Sequence, residues 1–211
     1  MYEFERREAE EPPRIKPLCR ALPTAEGSEW GWRWFRDYLH SRSLNADIAR
    51  GFGWYPSCQA GDTEARIVIP GTSEDPANQY WQARSVRQDA KPRYQSPHGV
   101  RRGDAYVELC LPMFETWVIV EGPMDALAAA QAGYGGLALL GATPPPEVLG
   151  ALVHRIQRDP KPVLLVADTD RLVCPLLLAF LGRGIHANLR LPYPYKDLAE
   201  APPLWRRRIL G

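Results

Sequence analysis

"VIVEGPMDALAAAQAG", Val118 to Gly133, is the stretch on which the fold turns. Its first three residues are apolar and β-branched, the composition of a strand buried on both faces. The strand stops on a carboxylate, Glu121. Gly122 then lets the backbone turn sharply, and Pro123 suits the first turn of the alanine-rich helix that follows. A carboxylate in that position is either a solvated strand end or the start of a metal site.

Outward from this unit the same rhythm repeats. Strand Trp117–Val120 precedes helix Pro123–Ala132, and strand Gly136–Leu140 precedes helix Pro146–Arg158. Strand Val163–Ala167 precedes a helix around Pro175–Leu181, and strand Ile185–Leu191 precedes a loop and a last helix. Such alternation predicts a parallel α/β sheet covered on both faces. Upstream the pattern differs. Residues 1–27, rich in Glu, Arg and Pro, read as a flexible arm. A helix is expected from Ser28 to Ser41, with Trp30, Trp34, Phe35, Tyr38 and Leu39 on one face. A short helix over Asn45–Arg50 ends at Gly51. Strands over Ala65–Pro70 and Gln79–Arg84 flank a hairpin loop, residues 85–104 read as irregular, and a strand covers 105–109. The expected organisation is an arm (1–27), a mixed α+β basic subdomain (28–115) and a Rossmann-like parallel sheet with flanking helices (116–211). The chain is thus α+β overall.

The chain has 211 residues, 45% apolar and 24% charged, with a net charge of +1. That suits a soluble globular protein with a real core. No apolar run approaches the ~20 residues of a membrane span, and the charged N-terminus lacks a signal-peptide core. A cytoplasmic location is expected. Cys19, Cys58, Cys110 and Cys174 are scattered, as are the four histidines. Without paired ligands at short spacing, no zinc site is expected.

Parallel strands bring their carboxyl ends to one edge, where ligands bind. Glu121 ends one strand, and "VLLVADTD" ends another with Asp168 and Asp170. Two residues apart on an extended segment, these two side chains project to the same side. Converging carboxylates repel unless a divalent cation such as Mg²⁺ joins them. Asp125 lies on the first turn of the next helix, and "YKDLAE" brings Lys196 and Asp197 to the same edge. Between residues 84 and 102 lie Arg84, Arg87, Lys91, Arg93, Arg101 and Arg102 against one acid, Asp89, with Trp81 and Tyr94 as aromatic neighbours. Such a segment is either a solvated basic loop or a nucleic-acid contact, since phosphates take Arg and Lys and unpaired bases take a stacking face. Arg206, Arg207 and Arg208 read as a solvated helix end, favoured by the helix dipole. Trp30, Trp34, Trp54 and Trp117 read as core.

"VEGPMDALA", "LLGATPPPEVL", "LLVADTD" and "YKDLAE" together resemble the TOPRIM domain in the form found in bacterial and phage DNA primases. "YLHSRSLNADIARGFGWYP", "ARIVIP", "YWQAR" and "KPRYQSPHG" resemble the subdomain that precedes TOPRIM in the primase RNA-polymerase core. The zinc ribbon and helicase-binding region of that family have no counterpart here. Arg171 and Pro175 after the D-x-D, and Ala199 where a second acid is usual, also depart from its pattern. The resemblance implies template-directed synthesis of RNA primers on single-stranded DNA from ribonucleoside triphosphates, with Mg²⁺ or Mn²⁺ as cofactor. It implies that Asp168 and Asp170 hold metal. Glu121 would hold the metal near the primer 3′-hydroxyl or help to deprotonate that group, with Asp125 and Asp197 as further metal-holding acids. It places Arg66, Arg84, Lys91, Arg93, Tyr94 and Lys196 against template or nucleotide. A replicative helicase and a zinc-ribbon protein acting in trans are implied partners. Two alternatives share these residues: a TOPRIM nuclease, in which water attacks a phosphodiester, and a non-catalytic nucleic-acid-binding module of replication.

Overall fold

The computed structural model describes residues 25–58, 65–97, 101–141, 143–167 and 185–211. Asp168, Asp170 and the helix expected near Pro175 lie outside them, as does the arm up to residue 24. Helix α1, Ala25–Ser41, begins three residues before the expected Ser28, so residues 25–27 belong to the helix and not to the arm. Phe35 and Leu39 on its apolar face are fully buried, and Trp34 and Tyr38 are half-buried. Helix α2, Ala46–Gly51, lies one residue later than expected, with Asn45 outside it as the N-cap: the Asn45 side chain accepts from the Asp47 and Ile48 amides.

An antiparallel four-stranded sheet follows in the order β1-β2-β3-β4. Its strands are β1 (Tyr55–Cys58), β2 (Ala65–Pro70), β3 (Trp81–Ser85) and β4 (Tyr94–Gln95). The β2–β3 hairpin is the expected one, with β3 displaced toward Ser85. β1 had no signal in the sequence, and β4 lies within the stretch read as irregular. Ile67 and Ile69 of β2 join the core of Phe35, Leu39 and Trp54, while Arg66 and Val68 take the opposite face.

The second sheet has the order β5-β7-β6-β8-β9. Its members are β5 (Val107–Leu109), β6 (Trp117–Val120), β7 (Gly135–Ala138), β8 (Val163–Ala167) and β9 (Ile185–Arg190). β6, β7, β8 and β9 run parallel, and β5 closes one side antiparallel to β7. β5 thus precedes residue 116 in sequence yet hydrogen-bonds in the second sheet. A bridge between Thr72 and Tyr106 ties that strand back to the β2–β3 loop.

Among the described residues three further helices complete the layers: α3 (Pro123–Ala132), α4 (Pro146–Arg158) and α5 (Pro203–Leu210). Strand alternation sorts β6 between two cores. Val118 and Val120 face the α3 core, which is continuous with the N-terminal half. Trp117 and Ile119 face a second core with Val148, Leu149 and Leu152 of α4. The close seat of α3 needs a residue without a side chain beneath it: a Cβ on Gly136 would lie 2.4 Å from the Ala126 carbonyl oxygen. Among the described residues no helix is long and apolar enough to cross a membrane.

Candidate nucleotide and nucleic-acid site

β6 lies between β7, which follows it, and β8, reached after the chain crosses back. The connection therefore reverses direction between β6 and β8. In open parallel sheets the crevice at that reversal is where ligands bind. Glu121 leaves the end of β6 there, half-buried, with its carbonyl accepting from the Gly141 amide at 3.2 Å. Asp168 directly follows Ala167, the last residue of β8.

Asp125 is 6% exposed in the first turn of α3, where the helix dipole favours a carboxylate. Gly122 leaves room for it, since a Cβ there would meet Asp125 Oδ2 at 2.9 Å. Asp125 Oδ1 accepts from the Ala199 amide at 2.9 Å, which fixes the loop after β9 to α3. Asp197 Oδ1 caps the next turn by accepting from the Glu200 amide at 2.8 Å, and Oδ2 lies 3.9 Å from Arg42.

Ala199 and Glu200 form one side of a cleft of about 550 Å³. The other sides carry Tyr38, Arg42, Arg84, Arg87 and Arg93. Arg84 on β3 is 6% exposed. Its Nε donates to the Tyr38 hydroxyl at 2.5 Å and its Nη1 to the Tyr94 hydroxyl at 2.6 Å. Burial works against the Arg84 charge, but the two tyrosines outweigh it, and the guanidinium holds its proton more tightly than usual. Burial pushes the Tyr94 phenol up as well, so it stays a neutral partner. Arg87 pairs with Asp89 at 2.7 Å. Arg84 and Arg93 make no ion pair with a carboxylate among the described residues, so the cleft keeps an excess of positive charge suited to phosphate oxygens.

No family model matches the chain, and no curated protein matches it. Among solved structures it matches a chain in the structure of a complex, bacteriophage T7 lagging-strand DNA polymerase interacting with primase domains of two gp4 subunits bound to an RNA/DNA hybrid and dTTP. The match has a TM-score of 0.55 and 15% identity, over 82% of this chain and 87% of that one. It shows a shared fold. A small TOPRIM domain protein from Bacillus stearothermophilus matches 47% of this chain and 89% of its own, at 23% identity and a TM-score of 0.36.

The other residues singled out in the sequence differ in their placement. Lys91, Arg93 and Lys196 are exposed, Arg93 on the cleft and the Lys196 amide bonded to Glu200. Arg66 is 2% exposed, and its Nη1 donates to the carbonyls of Ala83 at 3.3 Å and Pro92 at 3.5 Å. It braces the loop before β4 against β3 and does not line the cleft. Tyr94 is half-buried, and the Arg84 guanidinium sits 5.1 Å from its ring centroid, so the protein itself covers one face of the ring. Arg102 of the basic segment turns inward, donating to the carbonyls of Leu139 and Leu140 beyond β7. Among the described residues no three His, Cys, Asp or Glu side chains gather as metal ligands.

One expectation is reversed. Arg206 is not a solvated helix end; it is 1% exposed, whereas Arg207 and Arg208 are exposed. Sequence reasoning also missed Arg42 and Tyr38 as cleft residues. Helical periodicity assigns Tyr38 to the apolar face of α1, and Arg42 follows the helix end with no periodicity to mark it.

Proposed function

We propose that the chain is a primase-type nucleotidyltransferase core that joins ribonucleoside triphosphates on single-stranded DNA, in the cytoplasm. The observation that carries this reading is a linkage: Ala199, which lines a cation-rich cleft, is bonded through its amide to Asp125, in the first turn of the helix that follows Glu121. The shared fold supports it. Carboxylates at the strand ends would offer hard oxygens, the donor chemistry Mg²⁺ takes. Glu121 with Asp168 and Asp170 would hold such an ion, which when bound neutralises charge on transferring phosphates. Asp125 and Asp197, already held by backbone amides, position the surrounding loops.

The chain's own groups do the rest. Arg84, oriented by Tyr38 and Tyr94, offers its remaining donors to phosphate oxygens, with Arg42 and Arg93 beside it. Lys91, Arg93 and Lys196 extend the positive surface along a template path. A helicase and a zinc-ribbon protein in trans fit as partners of such a core. The test is incubation with single-stranded DNA, labelled triphosphates and Mg²⁺ or Mn²⁺. Extension of a primer supports the reading. Cleavage of the DNA would replace it with a nuclease, and binding alone with a non-catalytic module. Glu121→Gln keeps shape and removes charge, so its synthesis should fall at least about a hundredfold, roughly the effect of losing a group that acts in the transition state. Asp168→Ala with Asp170→Ala should abolish synthesis and spare DNA binding. Full activity in either variant would reduce these acids to strand-end residues.

A further inference from the structure

Arg206 is a buried cation whose five N–H donors all meet neutral acceptors. Nε donates to Leu198 O at 3.2 Å. Nη2 donates to Ala199 O at 2.8 Å and Arg42 O at 3.2 Å. Nη1 donates to Ser43 O at 2.9 Å and Gln131 Oε1 at 3.5 Å. Two pairs of carbonyls from segments far apart in the chain thus converge on one guanidinium. Left alone, those carbonyls would face one another across a dry gap.

The consequence reaches the cleft. Arg42 lines one side and Ala199 another. Because the Leu198 and Ala199 carbonyls turn toward Arg206, the Ala199 amide is free to turn to Asp125. Gln131 repeats the link, since its Oε1 also accepts from the Asn45 amide at 3.0 Å. We infer that Arg206 is a positioning residue that sets the Arg42 wall of the cleft against the loop bonded to Asp125. This rests on the reading of the cleft as a phosphate site. Burial lowers the Arg206 pKa to about 10, so at neutral pH it remains charged. A lysine there would keep the charge but, with three donors at one point, could not span both pairs of carbonyls.

The experiment compares wild type, Arg206→Lys, Arg42→Ala and the double variant, with tripolyphosphate as the probe. Affinity is measured by calorimetry well below each melting temperature. Amide exchange is followed at residues 43–45 and 199–201, with β2 and β3 as internal controls. Arg206→Lys should weaken binding roughly tenfold, about the loss of one charge-assisted hydrogen bond. In the Arg42→Ala background it should add nothing, because both changes act through the same wall. Exchange should rise in both amide sets together and stay unchanged in β2 and β3. A lower melting temperature with unaltered affinity and exchange would overturn the proposal, as would strictly additive losses. If wild type does not bind tripolyphosphate, the phosphate reading of the cleft falls. The paired exchange then still decides whether Arg206 holds the two segments. Should Arg206→Lys not fold, Gln131→Leu carries the test: a rise in exchange confined to Asn45 overturns the link, and a rise in both sets supports it.

Discussion

Arg84 meets two phenols where a buried cation would ordinarily meet a carboxylate. Taking a charge out of water without a counter-ion is costly, so the site gains when an anion enters. Lys91 and Arg93 differ, because both are exposed and solvated. If the proposed function holds, they contribute to DNA binding by counterion release: replacing both with alanine should lower the log–log salt slope by roughly 0.7 for each single-strand phosphate they had neutralised. Binding isotherms at several salt concentrations read this directly, and a slope equal to that of wild type would remove these residues from the template path. Tyr106 makes a different prediction. Burial raises its pKa above the usual 10.0, and the neighbouring Glu108 charge adds to the shift. The unfolded phenol ionises near pH 10 while the folded one stays neutral, so its stabilising contribution is complete below pH 10 and is lost as pH rises further. Relative to Tyr106→Phe, wild type should lose about 1.4 kcal/mol per pH unit above that point. Denaturant titrations from about pH 8 to about pH 11.5 test this, and parallel profiles for the two proteins would contradict it.

At the scale of elements, α3 sits close against β7. The Ala126 backbone occupies the space a Gly136 side chain would take, including its Cα at 2.8 Å. Gly136→Ala should therefore cost about 1–3 kcal/mol through overpacking. Gly150→Ala on α4, which meets nothing within 4 Å, should be neutral or stabilising by about 0.5–1 kcal/mol. Urea midpoints distinguish the two, and equal effects would mean that α3 does not sit as described. The βαβ units around these positions were legible in the sequence because their signals are local: a β-branched run, a proline at the helix start, alanines along the helix. The β2–β3 hairpin was legible for the same reason. Strand ends shifted by a residue or two because pairing partners, which no local window contains, set where a ladder stops. The inward turn of Arg66 was hidden by its charge, although alternation with Ile67 and Ile69 placed it on the face opposite the α1 core. Arg206 was hidden more deeply. Its acceptors are mostly backbone carbonyls, which carry no residue identity, and two of them lie 163 and 164 residues away.

At the scale of the whole molecule, the two sheets share one continuous core and are joined again by the Thr72–Tyr106 bridge. The sequence suggested a break in pattern near residue 116, and the pattern does change there. The packing does not break, because β5 crosses to the second sheet and α5 returns to the first half through Arg206. The cleft sits on that seam. Its positive residues come from the end of α1, from β3 and from the loop before β4, and its opposite side comes from the loop after β9. No contiguous peptide contains it. A graft of residues 84–93 onto a foreign scaffold would carry Arg84, Arg87 and Arg93 and leave behind Tyr38, Arg42 and the side formed by Ala199 and Glu200. Exchange of either half with a distant relative would likewise carry only part of the site, unless Arg206 and the carbonyls it gathers travelled together. The cleft is thus inherited as a whole chain or not at all.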